Sequence, residues 1–320
     1  MRKNNIKTNS YNLAFLLVTG LILGLANSLH AQQDSQYTQY MYNTQTINPA
    51  YAGSRGLLSI TPLYRNQWVG LDGAPETLNF SLNTPLGDSQ RTGLGLSFIQ
   101  DKIGPADESN ITGDFSYSIP LDDNDVKLAF GLKAGVNLLN VDYSVLNIFD
   151  PSDELQQNNI DNRLKPVVGA GLFLHDNQSW YVGLSVPNFL ETIHYDDTTV
   201  SNASERMAFY TTAGYVFDLN DNTKFKPAVL GKFVSGAPAA IDISANFLFN
   251  EKFTLGAAYR LDAAISGLAG FQISDSMLIG YAYDFGIQDL ANYNSGSHEI
   301  FLRFDILTRR TKRLLTPRFF

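Results

Sequence analysis

The sequence contains no cysteine among its 320 residues. No disulfide framework can hold such a chain together, so its stability must come from a large core or from a membrane. After residue 31 the chain also lacks any run of about 18 apolar residues, which excludes a membrane-spanning helix. Basic residues are few, 23 against 31 acidic ones, and the net charge of −8 argues against a nucleic-acid partner.

The amino terminus carries the one pronounced apolar stretch. Three basic residues among the first seven precede an apolar run over residues 13–25, and a polar exit ends in the small residue Ala31. This order is typical of a secretory signal peptide, and the run is too short to span a bilayer as a helix. We therefore expect residues 1–31 to be a signal peptide and the mature chain to be exported.

Beyond the leader, apolar residues alternate with polar or very small ones. The stretch TLNFSLNT at residues 77–84 and the stretch KLAFGLKAGVN at residues 127–137 both show a period of two. This period places the two residue classes on opposite faces of a β-strand. Fourteen segments fit this pattern: 57–65, 77–84, 93–100, 111–119, 127–137, 167–175, 180–187, 208–217, 226–233, 240–249, 253–260, 265–272, 278–285 and 299–306.

The connections between these segments distinguish a membrane barrel from a soluble sandwich. Every second connection is short, whereas the others include long segments at 138–166 and 188–207 and a medium one at 286–298. Short turns at one end and longer loops at the other are typical of outer-membrane barrels. In lipid every backbone N–H and C=O must be paired, which requires a closed sheet. The sequence therefore predicts an all-β fold, a single antiparallel transmembrane β-barrel of about 14 strands over residues 57–307.

Aromatic residues near the predicted strand ends favour interfacial girdles. These residues are Trp68, Tyr117, Trp180, Tyr181 and Tyr210.

Two residue classes occupy positions that the alternation assigns to the lumen. One class is very small and includes Gly93, Gly95, Gly131, Gly171 and Gly280. These glycines either relieve crowding in strongly coiled strands or leave room for another piece of polypeptide. The other class is charged and has both signs: Arg65, Lys133, Asp242, Arg260, Asp284, Arg303 and Asp305.

Several stretches of the mature chain form dense motifs: NPAYAGSRG (48–56), PLYRNQWVGLDGAPETLNFSLNTPL (62–86), KFKPAVLGKFVSGAPAAIDISANFLF (224–249), SGSHEIFLRFDI (295–306) and TPRFF (316–320). Together these motifs resemble the PorP/SprF family of outer-membrane proteins of the type IX secretion system. The likeness covers nearly all of the mature chain, and the two long loops are its least similar parts.

The resemblance implies a non-enzymatic outer-membrane barrel that helps to export or anchor adhesin-like cargo. The implied partners are the C-terminal signal domain of a secreted adhesin, other type IX secretion components and membrane lipid. Gliding motility and cell adhesion would follow from the cargo. Two alternatives stay open: a passive porin, and a core translocon component that is not dedicated to one cargo.

The residues themselves give little support to an enzyme. Three histidines remain after residue 31, and none has the spacing of a metal site or a catalytic triad. We expect His298 and Glu299 to form an ordinary interfacial pair. The sequence predicts no metal and no cofactor.

Residues 32–56 are too polar for a buried strand and too aromatic for a free linker. Between Gln36 and Gly56 the segment has four tyrosines, many amides, no acid and one base. We expect a plug inside or across the periplasmic mouth, with its amides on lumen side chains and its tyrosines on the glycine-lined wall. The alternative is a disordered or exposed segment that binds another secretion component. The candidate plug residues are Tyr40, Tyr42, Asn48, Pro49, Tyr51 and Gly53.

Two further motifs are candidate partner sites. We expect the block YRNQWVGLDGAPET to fold back at the external rim with its arginine pointing inward, although a plain hairpin would also explain it. Its residues are Arg65, Gln67, Trp68, Gly70, Pro75 and Thr77. We expect residues 308–320 to form a basic periplasmic tail that touches anionic lipid or docks onto a secretion component. Its candidate residues are Arg309, Arg310, Arg313, Pro317, Phe319 and Phe320.

The two long loops, 138–166 and 188–207, carry acids and amides with scattered aromatics. They are the longest connections and are predicted to face outward. We therefore expect them to form most of the external contact surface for cargo.

Overall fold

A computed structural model describes residues 36–121, 126–145, 159–176, 178–190, 192–193 and 204–306. The expected signal peptide, residues 1–31, and the expected basic tail, residues 308–320, lie outside these ranges. Among the described residues, no helix is both long enough and apolar enough to cross a bilayer.

Seventeen strands account for most of the described chain. They are β1 (Leu58–Asn66), β2 (Glu76–Leu86), β3 (Thr92–Ile103), β4 (Ala106–Pro120), β5 (Lys127–Val141), β6 (Ile160–His175), β7 (Trp180–Val186), β8 (Thr192–Ile193), β9 (Ser204–Glu205), β10 (Ala208–Tyr215), β11 (Phe217–Asn220), β12 (Thr223–Val234), β13 (Ala240–Phe249), β14 (Phe253–Arg260), β15 (Ala264–Ser274), β16 (Met277–Gly286) and β17 (Ser297–Ile306).

Fourteen of these strands form one closed antiparallel barrel, as the alternation predicts. Each strand pairs with its neighbours in chain order, and β1 pairs with β17 to close the ring. The short β11 follows β10 in the chain and also pairs with β12, while β8 and β9 form a separate two-stranded hairpin. Closure leaves no open edge in the ring, as a sheet in lipid requires.

Strands β3 to β6 extend beyond the segments that the alternation indicates. β4 begins at Ala106 and β6 begins at Ile160, several residues before the first predicted positions. The added part of β4 reads ADESN, and its residues are all half-buried. The alternation fades there because a hairpin without an apolar outer face need not separate its two faces by polarity.

The two ends of the barrel differ in the lengths of their connections. One end, called here the long-loop end, carries the connections 67–75, 104–105, 142–159, 187–207, 235–239, 261–263 and 287–296. The other, called the short-turn end, carries 87–91, 121–126, 176–179, 216–222, 250–252 and 275–276, together with the start of β1 and the end of β17. The predicted segregation of long and short connections is therefore present.

The outer face of the barrel is apolar, as a surface in contact with lipid must be. Leu132 is 63% exposed, Ile243 is 55% exposed and Leu255 is 45% exposed. A row of aromatic rings lies near the short-turn end, with Phe217 6.2 Å from Phe225 and Phe225 4.8 Å from Phe247. This row is consistent with an interfacial girdle.

Two residues predicted for the girdles lie elsewhere. Tyr181 is only 5% exposed and Tyr210 only 7%, because both belong to the lumen-facing set of their strands. Trp68 and Tyr117 are exposed, at 37% and 43%. The prediction for Tyr181 and Tyr210 was wrong because position near a strand end says nothing about which face a residue takes.

Candidate functional site

The barrel lumen is occupied by residues 36–56, called here the inner segment. It consists of three short helical turns: a 3₁₀ turn at Tyr40–Tyr42, an α-helical turn at Thr44–Ile47 and a 3₁₀ turn at Pro49–Tyr51. Asn48 caps the last turn, because its side-chain oxygen accepts a bond from the Ala50 N–H at 3.0 Å, and Pro49 opens that turn. Turns this short are not stable alone, so contacts with the wall must hold them.

The inner segment runs from the long-loop end to the short-turn end. Thr38 is bonded to Glu299 and Asp284, both near the long-loop end of their strands, and Arg55 is bonded to Asp305 at the short-turn end. Strand β1 gives the scale, because the seven residues from Ser59 to Arg65 span about 20 Å along the strand. The segment therefore lies inside the barrel and passes through most of its height, and does not merely cross the periplasmic mouth.

At the long-loop end four side chains form the Arg65 cluster: Arg65, Asp284, Glu299 and Thr38. Arg65 donates from Nη2 to Asp284 at 2.7 Å and from Nη1 to Glu299 at 3.1 Å. The Thr38 hydroxyl donates to Asp284 at 2.7 Å and accepts from Arg65 at 2.9 Å. The Glu299 carboxylate also accepts the backbone N–H groups of Thr38 and Gln39, at 2.9 and 2.8 Å. The inner segment thus completes the coordination of a buried ion-pair group.

Glu299 and its neighbour His298 occupy opposite faces of β17. Glu299 is 1% exposed and faces the lumen, whereas His298 lies 2.6 Å from the hydroxyl of Tyr281, which belongs to the outer face. The expectation of an interfacial His298–Glu299 pair was therefore wrong. Adjacent residues of a strand point in opposite directions, so the two cannot share one surface.

Amide and hydroxyl groups connect the middle of the inner segment to strands β2 to β7. Gln45 donates to Ser97 and Asp114, each at 3.2 Å, and to the carbonyl oxygen of Leu82 at 3.1 Å. Lys133, which pairs with Asp114 at 3.5 Å, donates to the carbonyl oxygen of Thr46 at 2.9 Å. The backbone of the segment is therefore paired by side chains of the wall, as buried polar groups require.

Glycines on the same wall make room for this close approach. A Cβ on Gly131 would overlap the backbone nitrogen of Ala50, and a Cβ on Gly93 would overlap the carbonyl oxygen of Ala52. At Gly171 the nearest atom is the side-chain oxygen of Asn48. Backbone and amide groups, and not the predicted tyrosines, fill the space that these glycines leave.

The tyrosines and other apolar residues of the segment pack elsewhere on the wall. Tyr40, Met41 and Ile47 belong to a buried cluster with wall residues that include Leu230 and Leu268. The Tyr42 ring stacks on Phe301 at 4.8 Å, and Tyr51 meets Phe173 edge-on at 5.5 Å. The apolar side chains of the segment therefore contact apolar lumen residues on both halves of the barrel, Phe173 on β6 as well as Leu230 on β12 and Phe301 on β17.

At the short-turn end four residues form the Asp305 cluster: Asp305, Arg55, Ser59 and Arg303. The Asp305 carboxylate accepts from Arg55 and from the Ser59 hydroxyl, each at 2.8 Å, and Arg303 lies 3.6 Å away. Arg303 also lies over the Tyr42 ring, 5.6 Å from its centroid. Gly53, in the left-handed region at φ +74°, turns the chain against β2 and β3 before it reaches Arg55.

Both clusters cross the line where β1 and β17 close the barrel. Arg65 on β1 lies directly opposite Glu299 on β17, and Ser59 lies directly opposite Asp305. The inner segment binds β17 at both levels through Thr38 and Arg55. It therefore reinforces the closing strand pair from inside.

The six residues of the Arg65–Thr77 block have separate roles. Arg65 bonds to the inner segment, whereas the N–H of Gln67 donates to the carbonyl of Pro75 at 2.9 Å and closes the loop. Gly70 has φ +100° and Trp68 has φ +47°, and the Trp68 N–H donates to the Ser297 hydroxyl at 3.2 Å. The Thr77 hydroxyl donates to Asp101 at 2.6 Å. Except for Arg65, these contacts shape the loop and its base.

The sequence reasoning missed several residues of this arrangement, chiefly Thr38, Gln45, Arg55, Ser59 and Ser185. Ser185 donates from its hydroxyl to the carbonyl oxygen of Ile47 at 2.6 Å. One sequence feature could have pointed to them: many polar residues occupy lumen positions of the strands, where burial without a hydrogen-bond partner is unfavourable. This feature shows that each buried polar residue needs a partner, but it does not identify the partner.

A small cavity remains between the inner segment and strands β10 to β13. Its volume is about 20 Å³, room for one or two water molecules. It is lined by Gln36, Tyr37, Tyr40, Ile47, Tyr210, Leu230, Lys232, Ala240 and Asp242. Among the described residues, no group of three or more His, Cys, Asp or Glu side chains could hold a metal ion.

Nearly half of the two loops expected to contact cargo, including residues 146–158 and 194–203, lies outside the described part of the chain. The tail residues Arg309, Arg310, Arg313, Pro317, Phe319 and Phe320 also lie outside it. The structure therefore leaves both predictions as they stand.

Comparison with known proteins gives one extended match. Residues 29–304 match the family described as "Type IX secretion system membrane protein PorP/SprF". No curated protein matches the chain.

Among solved structures, the chain is similar to several outer-membrane proteins. The outer membrane protein Omp33 of Acinetobacter baumannii has 12% identity and a TM-score of 0.45, with 79% of this chain and 100% of that one covered. A Pseudomonas aeruginosa FadL homologue has 13% identity and a TM-score of 0.41, covering 78% and 89%. A mutant porin of Rhodopseudomonas blastica has 10% identity and a TM-score of 0.34, covering 78% and 99%. At these values the likenesses carry no argument about function.

Replacement of Arg65 by alanine is expected to destabilise the folded barrel. The change leaves Asp284 and Glu299 buried without their cation, and breaking a buried pair in this way costs about 3–5 kcal/mol. Urea unfolding in lipid vesicles measures the difference. The matched control is Lys102→Ala, which breaks an exposed pair with Asp107 and should cost at most about 1 kcal/mol. Equal losses in the two variants would contradict a structural role for the Arg65 cluster.

Replacement of Gly131 by alanine is expected to displace the inner segment. The new Cβ would overlap the backbone of Ala50, which cannot move without leaving the wall. We expect faster proteolysis between Tyr37 and Asn48 in the purified, folded barrel. The control is Gly267→Ala on the outer face, where a Cβ meets nothing within 4 Å. If both variants resist protease as the unmodified chain does, the close packing at Gly131 is not what holds the segment.

Proposed function

Because this chain belongs to the PorP/SprF family of type IX secretion system membrane proteins, we propose that it is a non-enzymatic partner and anchor for adhesin-like cargo. It is an outer-membrane β-barrel of fourteen antiparallel strands. In this proposal the cargo is recognised through its C-terminal signal domain and is displayed at the cell surface. Gliding motility and cell adhesion are then properties of the displayed cargo.

The filled lumen is the observation that carries the proposal. The inner segment is bonded to the wall at both ends and in the middle, and residues such as Gln45 and Asn48 are 1% exposed. Passage of another polypeptide through this barrel would require removal of the whole segment and exposure of the buried charges around it. A role in recognition on the outer surfaces of the barrel is therefore better supported than a role as the conduit.

The long-loop end is the proposed contact surface for the cargo. Long external loops carry the recognition surfaces of many outer-membrane barrels. Connections 142–159 and 187–207 are the longest, and their described parts present exposed apolar residues such as Val145, at 64%, and Phe189, at 44%. In the same proposal the short-turn end, which faces the periplasm, meets other type IX secretion components.

The charged residues inside the barrel do not favour a passive porin. A porin constriction presents charges of both signs to an open channel. Here Arg65 and Lys133 bond to the inner segment, and Asp305 is paired with an arginine of that segment. These charges therefore serve to hold a polypeptide and do not line an aqueous path through the described part of the lumen.

The filled barrel is expected to conduct little current in planar lipid bilayers. Deletion of residues 37–52 should produce a stable, larger conductance, because the segment occupies the lumen and its removal leaves a water-accessible space. Single-channel recording of both proteins at equal salt measures the effect. A steady open conductance from the full-length chain would contradict the proposal and favour the porin.

A photo-crosslinking residue at Leu190, an exposed position at the long-loop end, is expected to capture a co-expressed adhesin C-terminal domain in living cells. The matched control is the same residue at Ser89, which lies exposed in the short-turn connection 87–91. Crosslinking from Ser89 but not from Leu190 would contradict the proposed surface. Equal capture of unrelated C-terminal domains would favour a core translocon component over a partner dedicated to one cargo.

A further inference from the structure

The geometry points to an inner segment whose amino-terminal end, at Gln36, faces the cell surface and whose carboxy-terminal end, at Gly56, faces the periplasm. This inference concerns the path of the chain and does not depend on any cargo. It rests on the described residues 36–56 and on the orientation of the barrel in the outer membrane. Barrels of this kind keep their short turns in the periplasm and their longer loops outside.

The position of Gln36 is given by its surroundings. Gln36 borders the small cavity together with Lys232, Ala240 and Asp242. Ala240 is the first residue of β13, directly after the connection 235–239 of the long-loop end. Gln36 therefore lies at the level where the barrel strands meet the long-loop end.

The next two residues are held at the same level by independent bonds. The N–H groups of Thr38 and Gln39 donate to Glu299 at 2.9 and 2.8 Å, and the Thr38 hydroxyl donates to Asp284. Glu299 is the third residue of β17, which begins at the long-loop end. Asp284 lies near the end of β16 that leads into the connection 287–296.

The contacts that follow descend step by step toward the opposite end. Gln45 bonds to Asp114 in the middle of β4, Ala50 lies against Gly131 near the start of β5, and Arg55 reaches Asp305 near the end of β17. The chain then turns into β1 at Leu58 and runs back to the long-loop end. The order of these contacts assigns one direction to the segment, from outside to inside.

This direction has a consequence for the mature amino terminus. If the leader is removed after Ala31, four residues precede Gln36, and a chain of four residues extends at most about 14 Å. The new terminus is then within about 14 Å of Gln36, which borders the long-loop end.

The two ends of the barrel can be distinguished by labelling, because the chain has no cysteine of its own. We insert Gly-Ser-Cys-Gly-Ser between Gln33 and Asp34 and expose intact cells to a membrane-impermeant maleimide. We expect this cysteine to be labelled as strongly as Tyr293→Cys, a control at an exposed position of the long-loop end. The second control, Ser89→Cys at the short-turn end, should be labelled only after the outer membrane is permeabilised.

Gln36→Cys is a second variant that leaves the processing region unchanged. Gln36 is half-buried, so we expect slower labelling than at the insertion but again without permeabilisation. The inference is overturned if the inserted cysteine requires permeabilisation, or if it is labelled in neither state while the barrel is present in the outer membrane. Labelling of Ser89→Cys but not Tyr293→Cys in intact cells would also overturn it, because the barrel orientation would then be reversed.

The result is separable from the fate of the cargo proposal. Labelling reports only where the segment ends, whereas cargo capture at Leu190 reports what the outer loops bind. If labelling places the inserted cysteine in the periplasm while Leu190 still captures cargo, the inference about chain direction is wrong and the cargo proposal is unaffected.

Discussion

The structure depends on one electrostatic constraint: charges inside a membrane barrel must be paired and hydrogen-bonded, because water does not reach them freely. The carboxylates of Asp284, Glu299 and Asp305 lie in the lumen at most 3% exposed, and the wall alone does not complete their coordination. The inner segment supplies the missing groups, two backbone N–H donors and a hydroxyl at one end and the Arg55 guanidinium at the other. Segment and wall therefore form one hydrogen-bonded unit, and neither is complete without the other.

This mutual dependence explains the unusual composition of the inner segment. Its amides face strands whose glycines allow the backbone to approach, as at Gly131 and Gly171, and its aromatic and apolar residues pack on apolar lumen residues such as Phe173, Leu230 and Phe301. The absence of acids follows from the same requirement. The carboxylates are contributed by the wall, so a carboxylate on the segment would meet Glu299 or Asp305 and repel them.

The location of the two ion-pair clusters connects the segment to closure of the barrel. Both lie on the β1–β17 pair, which can form only after the last strand has been made. A segment bonded to β17 at two levels favours the closed ring over a ring open at that pair. The same bonds keep the lumen filled. Recognition of exported proteins is therefore better explained by the outer loops than by the lumen.

The sequence by itself determined the class of fold. Alternation indicated all fourteen barrel strands, because it follows from local rules of backbone and side-chain geometry. The lengths of the connections indicated that the longest ones lie together at one end of the barrel. It also indicated that the segment 36–56 needed a partner. Local patterns could not determine which partner each residue found. Thr38 and Glu299 are 261 residues apart, and Arg55 and Asp305 are 250 apart, so only closure of the ring brings them together. The direction of the segment through the lumen was likewise decided by tertiary structure, because it depends on how deep in the barrel the ion-pair partners of the segment lie.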